Sequence, residues 1–181
     1  MTIRNLHEMP WIGEDPVLDL ANTVLCDAGP ARGDIDLLAD ARLLASWRSR
    51  TLDRRLADLP LEDLTALRDL VRCALDAAAG QAALPESVRT RLNDLASAAP
   101  VTLFVSADGR LGQRETGGAA DASVARQALA LAAGPDQARL RRCYAPSCGM
   151  FFLARRRDQA WCSLGCGNRA RSARRQSQPP A

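Results

Sequence analysis

Cys143-Tyr144-Ala145-Pro146-Ser147-Cys148, followed after thirteen intervening residues by Cys162-Ser163-Leu164-Gly165-Cys166, decides how the C-terminal part of the 181-residue chain folds. A C-x4-C-x13-C-x3-C array brings two close pairs of soft sulfur donors to one point. That is the pattern of a four-thiolate zinc site, able to organise a small module that has no core of its own. Cys162 and Cys166 lie four apart, about 40° out of line on a helix, so both sulfurs can face one ion from its first turn. Pro146, Ser147 and Gly149 give the first pair a tight turn, and Met150-Phe151-Phe152-Leu153 beyond it is apolar enough for a short strand. A knuckle, a hairpin and a helix carrying the last ligands make a treble-clef-like finger. Disulfides are the competing use of four cysteines, but paired spacing in a chain whose first ten residues lack an apolar signal region favours metal.

Charge follows the same division. From Arg139 to the end the chain holds ten arginines against one acid, Asp158, about +9, whereas the first 138 residues come to about −6; the overall +3 conceals the split. Arg155, Arg156 and Arg157 fall in the loop between the ligand pairs, and Asn168, Arg169, Arg171, Arg174 and Arg175 follow the last cysteine on a basic helix. Arginines fixed to a metal-held scaffold suit phosphate oxygens, and Arg and Asn also suit base edges, so double-stranded DNA is the expected partner. For Asn168 and Arg169 a bracing role on the knuckle competes with base reading.

In front of the finger the periodicity is mostly helical. Leu64, Leu67, Val71, Ala74, Leu75 and Ala78 recur at helical spacing between Pro60 and Gly80, and Val88, Leu92, Leu95 and Ala99 do so between Pro85 and Pro100. Val17, Leu18, Leu20, Ala21, Val24 and Leu25 predict one earlier helix, and Leu37, Leu38, Ala41, Leu44 and Ala45 another. Residues 101–106 and 110–114 flank Asp108-Gly109, a pair that favours a hairpin with a two-residue turn. A last helix carrying Val124, Ala128, Leu129 and Leu131 stops at Gly134-Pro135, which sets the expected boundary. The chain is therefore expected to be mainly α: a multi-helix domain with one hairpin over residues 1–134, a zinc finger over 135–176 and a disordered tail over 177–181. The front part has enough length for its own core, and the finger is too small to fold without its ion.

Trp161-Cys162-Ser163 with Cys166-Gly167-Asn168-Arg169-Ala170-Arg171 resembles the CGNR zinc-finger family, bacterial proteins assigned to transcription regulation. Leu18-Asp19-Leu20-Ala21-Asn22-Thr23 resembles the Leu-Asp-x-x-Asn-Thr signature of the ABATE domain that precedes this finger, and Leu43-Leu44-Ala45-Ser46-Trp47 is similar to a later segment of it. The resemblance spans nearly the whole chain and implies zinc, DNA binding and a stress-linked regulatory context. The basic run ends early, at Gln176-Ser177-Gln178-Pro179-Pro180.

Other residues carry less. All 24 basic residues are arginine, which genome composition alone can produce, and aromatics make up only 4%. His7 reads as an exposed side chain, Cys26 and Cys73 as small buried hydrophobes, and Trp11 and Trp47 as anchors of the core or its boundary. Trp161 is expected to pack over the knuckle against Phe151 or Phe152. Asp19 and Asn22, three apart on an otherwise apolar face, either brace neighbouring segments or line a pocket. No phosphate loop or nucleophile motif is present, and a four-cysteine ion has no open position, so no enzyme is expected. The reading is a cytoplasmic, zinc-dependent transcription regulator whose acidic helical part dimerises or binds a small effector, without a membrane segment. Its rivals are a protein- or RNA-binding adaptor and an enzyme with a pocket around Asp19 and Asn22.

Overall fold

The computed structural model describes residues 11, 13, 15–26 and 33–176; His7 and the tail 177–181 lie outside them. Described residues form seven α-helices and three two-stranded antiparallel hairpins. Two compact units result, one made of residues 53–137 and the other of residues 1–52 together with 138–181. This division cuts across the linear one drawn at Gly134-Pro135. Its physical reason lies in the first described helix.

α1 (Pro16–Ala21) starts where Asp15 accepts from the N–H groups of Val17 and Leu18, with Pro16 at the first helical position. Val17, Leu18, Leu20 and Ala21 are fully buried. The helix stops at Asn22, short of the expected run to Leu25: Val24–Leu25 is instead strand β1, paired with β2 (Ile35–Asp36) in the register Val24↔Asp36. Thr23 turns the chain by donating its hydroxyl to Leu20 O. The second expected helix is also divided. Leu37–Ala39 is a 3-10 turn capped by Asp36, and Asp40 then caps α2 (Ala41–Arg50) by accepting from Arg42 and Leu43 N–H. Two caps in sequence override the continuous apolar period. Leu43 and the fully buried Trp47 are the core residues of α2, and the Trp47 indole donates to Asp19 O at 3.3 Å.

Asn22 joins this segment to the C-terminal hairpin of β5 (Leu140–Arg142) and β6 (Phe151–Leu153). Its amide donates to Phe151 O at 2.9 Å and accepts from Phe151 N at 2.7 Å, both bonds buried. β5 and β6 pair with Arg141 opposite Phe152, and the closing bond from Cys143 N to Met150 O lies two steps further along, with Arg142 opposite Phe151 between them. Backbone bonding alternates along a strand, so the N–H and C=O of Phe151 face away from β5 and toward Asn22. Truncating Asn22 to Ala would orphan both groups, a cost of roughly 2–4 kcal/mol. Cys26 N adds a bond to Cys148 O at 2.9 Å. The N-terminal segment and the finger thus share one core.

The unit of residues 53–137 matches its sequence pattern closely. α3 (Arg54–Ala57) is capped by Asp53; α4 (Leu61–Ala79) follows Pro60 and ends at Gly80; α5 (Glu86–Ala96) follows Pro85; α6 (Ala120–Ala133) ends at Gly134. α4, α5 and α6 pack together, and the buried Ala120, Ala122, Ala125, Ala128 and Ala132 let α6 approach its neighbours closely. Strands β3 (Val101–Val105) and β4 (Leu111–Glu115) form the expected hairpin, but its loop has three residues rather than two. Ser106 N bonds Arg110 O, Gly109 N returns to Ser106 O, and Gly109 supplies the left-handed φ of +78° that this bulged loop requires. Cys73 is exposed on α4 and Cys26 half-buried, so neither is the small buried hydrophobe expected. Cys73 falls on the exposed side of α4, and Cys26 follows β1 rather than lying on a helix.

Glu115 ties the hairpin to the helices of this unit. One carboxylate oxygen accepts from Arg55 at 3.1 Å, the other from Ser123 at 2.6 Å and Arg126 at 2.8 Å. The Ser123 hydroxyl, then Arg126 and Arg55, hold the Glu115 carboxyl below its ordinary range against the opposing effect of burial, and Arg55 does the same for Asp53. A carboxyl whose folded pKa is depressed contributes stability above its unfolded pKa and loses it as pH falls through the folded value. Unfolding midpoints should therefore drop as pH falls below the ordinary glutamate range. Glu115→Gln should be less stable at pH 7 with a flatter acid limb; a variant as stable and as acid-sensitive as the parent would show the network to be idle.

Candidate metal centre

The first ligand pair sits in the turn between β5 and β6. Cys143 N donates to Met150 O, Gly149 N to Cys143 O and Cys148 N to Ala145 O, so the backbone curls around both sulfurs. Ser147 and Gly149 take left-handed φ values of +56° and +81° to close this knuckle. A side chain on Gly149 would also collide with Cys26 Sγ. The second pair is set by α7 (Leu164–Gln176): Ser163 caps it, its hydroxyl accepting from Cys166 N at 3.2 Å and its carbonyl from Gly167 N. Cys162 precedes the helix and Cys166 lies in its first turn.

The four sulfurs lie within 4.8 Å of one another. Cys148 and Cys162 are 3.7 Å apart, Cys162 and Cys166 3.4 Å, Cys166 and Cys148 3.7 Å. A tetrahedral ion bonded to four sulfurs at about 2.3 Å needs S···S edges of about 3.8 Å. These separations match the edges of a four-sulfur tetrahedron and are well beyond the roughly 2.05 Å of a disulfide bond, so the geometry favours the metal reading. Hydrogen bonds from Cys148 and Cys162 pull the Cys143 thiol far below its ordinary value; Cys148 and Cys162 are pushed up, first by their bonds to Cys143. Four thiolates this close repel one another unless a cation sits among them, and the donor set therefore fits a bound metal ion.

The arginines of the finger differ in what they touch. Arg169 donates from Nε to Pro146 O at 3.2 Å and from Nη2 to Cys166 Sγ at 3.0 Å, joining α7 to the knuckle. Arg142 reaches Cys26 Sγ at 3.0 Å and lies over the Phe151 ring. Arg155, Arg156, Arg157, Asn168, Arg171, Arg174 and Arg175 are exposed, and so is Arg169 despite its bonds to the knuckle. Asn168 accepts from Arg171 at 2.6 Å, and Arg174 covers the Trp161 ring at 5.9 Å. Trp161 is half-buried, its Cδ1 3.2 Å from where a Gly167 Cβ would be, which explains a glycine after the last ligand. Asp19 and Asn22 are 3% and 1% exposed, and both brace backbone: Asp19 accepts from Gly13 N at 2.9 Å, Asn22 clamps Phe151. The sequence holds no signal for Arg142 and Cys26, because 116 residues separate the pair.

A helical N-terminal part followed by a four-cysteine finger defines the class. Residues 14–135 match the ABATE family, described as "Putative stress-induced transcription regulator", and residues 139–178 match the CGNR zinc finger. The chain belongs to the ABATE family and carries the CGNR finger behind that domain. No curated protein matches it. Kinship follows the chain linearly, with its border at residues 135–139, whereas packing joins the two ends.

Removal of one ligand separates holding the ion from holding the knuckle. Metal analysis should give one ion per chain for the parent and none for Cys143→Ser. Arg169→Ala should keep its ion but melt lower and yield it to chelator faster, because Pro146 O and the Cys166 sulfur lose their donor. A folded, metal-free parent or an Arg169→Ala finger of unchanged melting would contradict this.

Proposed function

We propose that the chain is a zinc-dependent, DNA-binding transcription regulator of the cytoplasm, acting in a stress-linked context as its family description implies. The observation that carries the reading is the outward arginine surface on a metal-held scaffold: Arg155, Arg156 and Arg157 in one loop, Arg171, Arg174 and Arg175 on α7, all exposed. Cys143, Cys148, Cys162 and Cys166 would hold zinc. Zinc there supplies a crosslink between knuckle and helix and, with four protein ligands, no site for water activation. Arginine forks bind duplex phosphates, and each phosphate neutralised releases condensed counterions. Asn168 is positioned beside Arg171 to contribute, whereas Arg169 serves the knuckle. The module that touches DNA is residues 135–176, and the acidic helical part in front of it, residues 1–134, serves dimerisation or an effector. Among described residues no helix is long and apolar enough to cross a membrane. Asp19 and Asn22, buried and bonded to backbone, favour a bracing role over a substrate pocket.

Duplex affinity measured against salt tests this. The parent with zinc should bind with a steep slope. Replacing Arg155, Arg156 and Arg157 by Ala should weaken binding to every sequence alike and flatten the slope by about one unit for each phosphate left without its arginine. Absence of duplex binding at low salt contradicts the reading and leaves the adaptor role.

A further inference from the structure

A cavity of about 740 Å³ opens beside the basic loop, between residues 155–163 and the first two turns of α7. Trp11, Phe152, Trp161 and Leu164 supply its apolar lining, and Arg155, Arg156 and Arg171 its cationic one. The loop forming its wall is held in shape by Gln159, whose Oε1 accepts from Arg155 N at 2.9 Å and whose Nε2 donates to Trp161 O at 3.1 Å. Its acid, Asp158, faces Arg156 at 3.7 Å. Leu164 is 88% exposed at the start of α7, where neither the metal site nor the core uses its side chain.

Two chemistries meet in this groove. Guanidinium groups answer phosphate, which a closed duplex also offers. An aromatic ring and an exposed leucine answer a flat apolar face, and in a closed duplex the base faces are buried in the stack. The volume is within the range of about 300–1,000 Å³ typical of small-ligand sites. We propose that the groove receives one unpaired nucleotide of a DNA strand, its base against Trp161 and Leu164 and its phosphates toward Arg155, Arg156 and Arg171. This rests on the nucleic-acid reading above and gives the finger a preference for locally open DNA.

The test uses the full-length, zinc-loaded protein and three labelled probes of equal length: a blunt duplex, the same duplex with one unpaired thymidine, and a thymidine single strand. Both unpaired probes should bind about tenfold or more tightly than the blunt duplex and quench tryptophan emission. Leu164→Ser, a change at an exposed position that keeps the fold, should erase that advantage while leaving blunt-duplex affinity unchanged. Trp161→Ala should do the same, and Leu164→Ser keeps the test valid if loss of the ring under Arg174 unfolds the finger. Equal binding of all three probes overturns the inference and leaves the proposed function standing; no binding to any probe overturns both. Displacement of the single strand by thymidine monophosphate at similar concentration would overturn the strand as the source and make the groove a free-nucleotide site.

Discussion

One carboxamide sets the position of everything that follows. The Asn22 side chain pairs with both backbone groups of Phe151 in a buried setting, doing for one edge of β6 what a neighbouring strand would do. With that edge satisfied, the hairpin of β5 and β6 is fixed against α1, and the knuckle between the strands holds Cys143 and Cys148 where Cys162 and Cys166 can meet them. α7 carries the fourth ligand in its first turn, so the direction of the basic helix is inherited from an amide more than 120 residues earlier. The Leu-Asp-x-x-Asn-Thr segment is in this sense part of the finger: Leu18, Leu20 and Ala21 fill its core, Asp19 receives Gly13 and Trp47, and Thr23 turns the chain into β1.

Arginine has two uses in this unit, and geometry separates them. Arg169 bonds the Pro146 carbonyl of the knuckle and the Cys166 sulfur of α7, and Arg142 the Cys26 sulfur of the N-terminal segment; in each case the rigid guanidinium joins separate parts of the chain. Arg155, Arg156, Arg157, Arg171, Arg174 and Arg175 are exposed and give the surface its charge. Counting arginines in the sequence merges the two sets.

Much of this was legible in the sequence, for identifiable reasons. Sulfur ligands announce themselves by spacing, and α4, α5 and α6 by a 3.6-residue period closed off by Pro60, Gly80, Pro85 and Gly134. What escaped were effects of tertiary contact and local caps. Val24 and Leu25 continue the apolar period of α1, yet the amide of Asn22 and the turn at Thr23 take the chain into a strand. Asp36 and Asp40 divide the next segment by capping twice. The joining of residues 1–52 to the finger had no linear signal, because it depends on Asn22 meeting Phe151 and Cys26 meeting Cys148 across a long separation.

Backbone hydrogen exchange before and after metal removal tests that joining most directly. Chelation should abolish protection in α1 and α2 together with β5 and β6, while amides of α4, α5 and α6 stay protected, since the two sets belong to different compact units. Retained protection of α1 and α2 after the finger has lost its metal and its own protection would contradict the account, and the N-terminal segment would then be a self-supporting part of the helical domain.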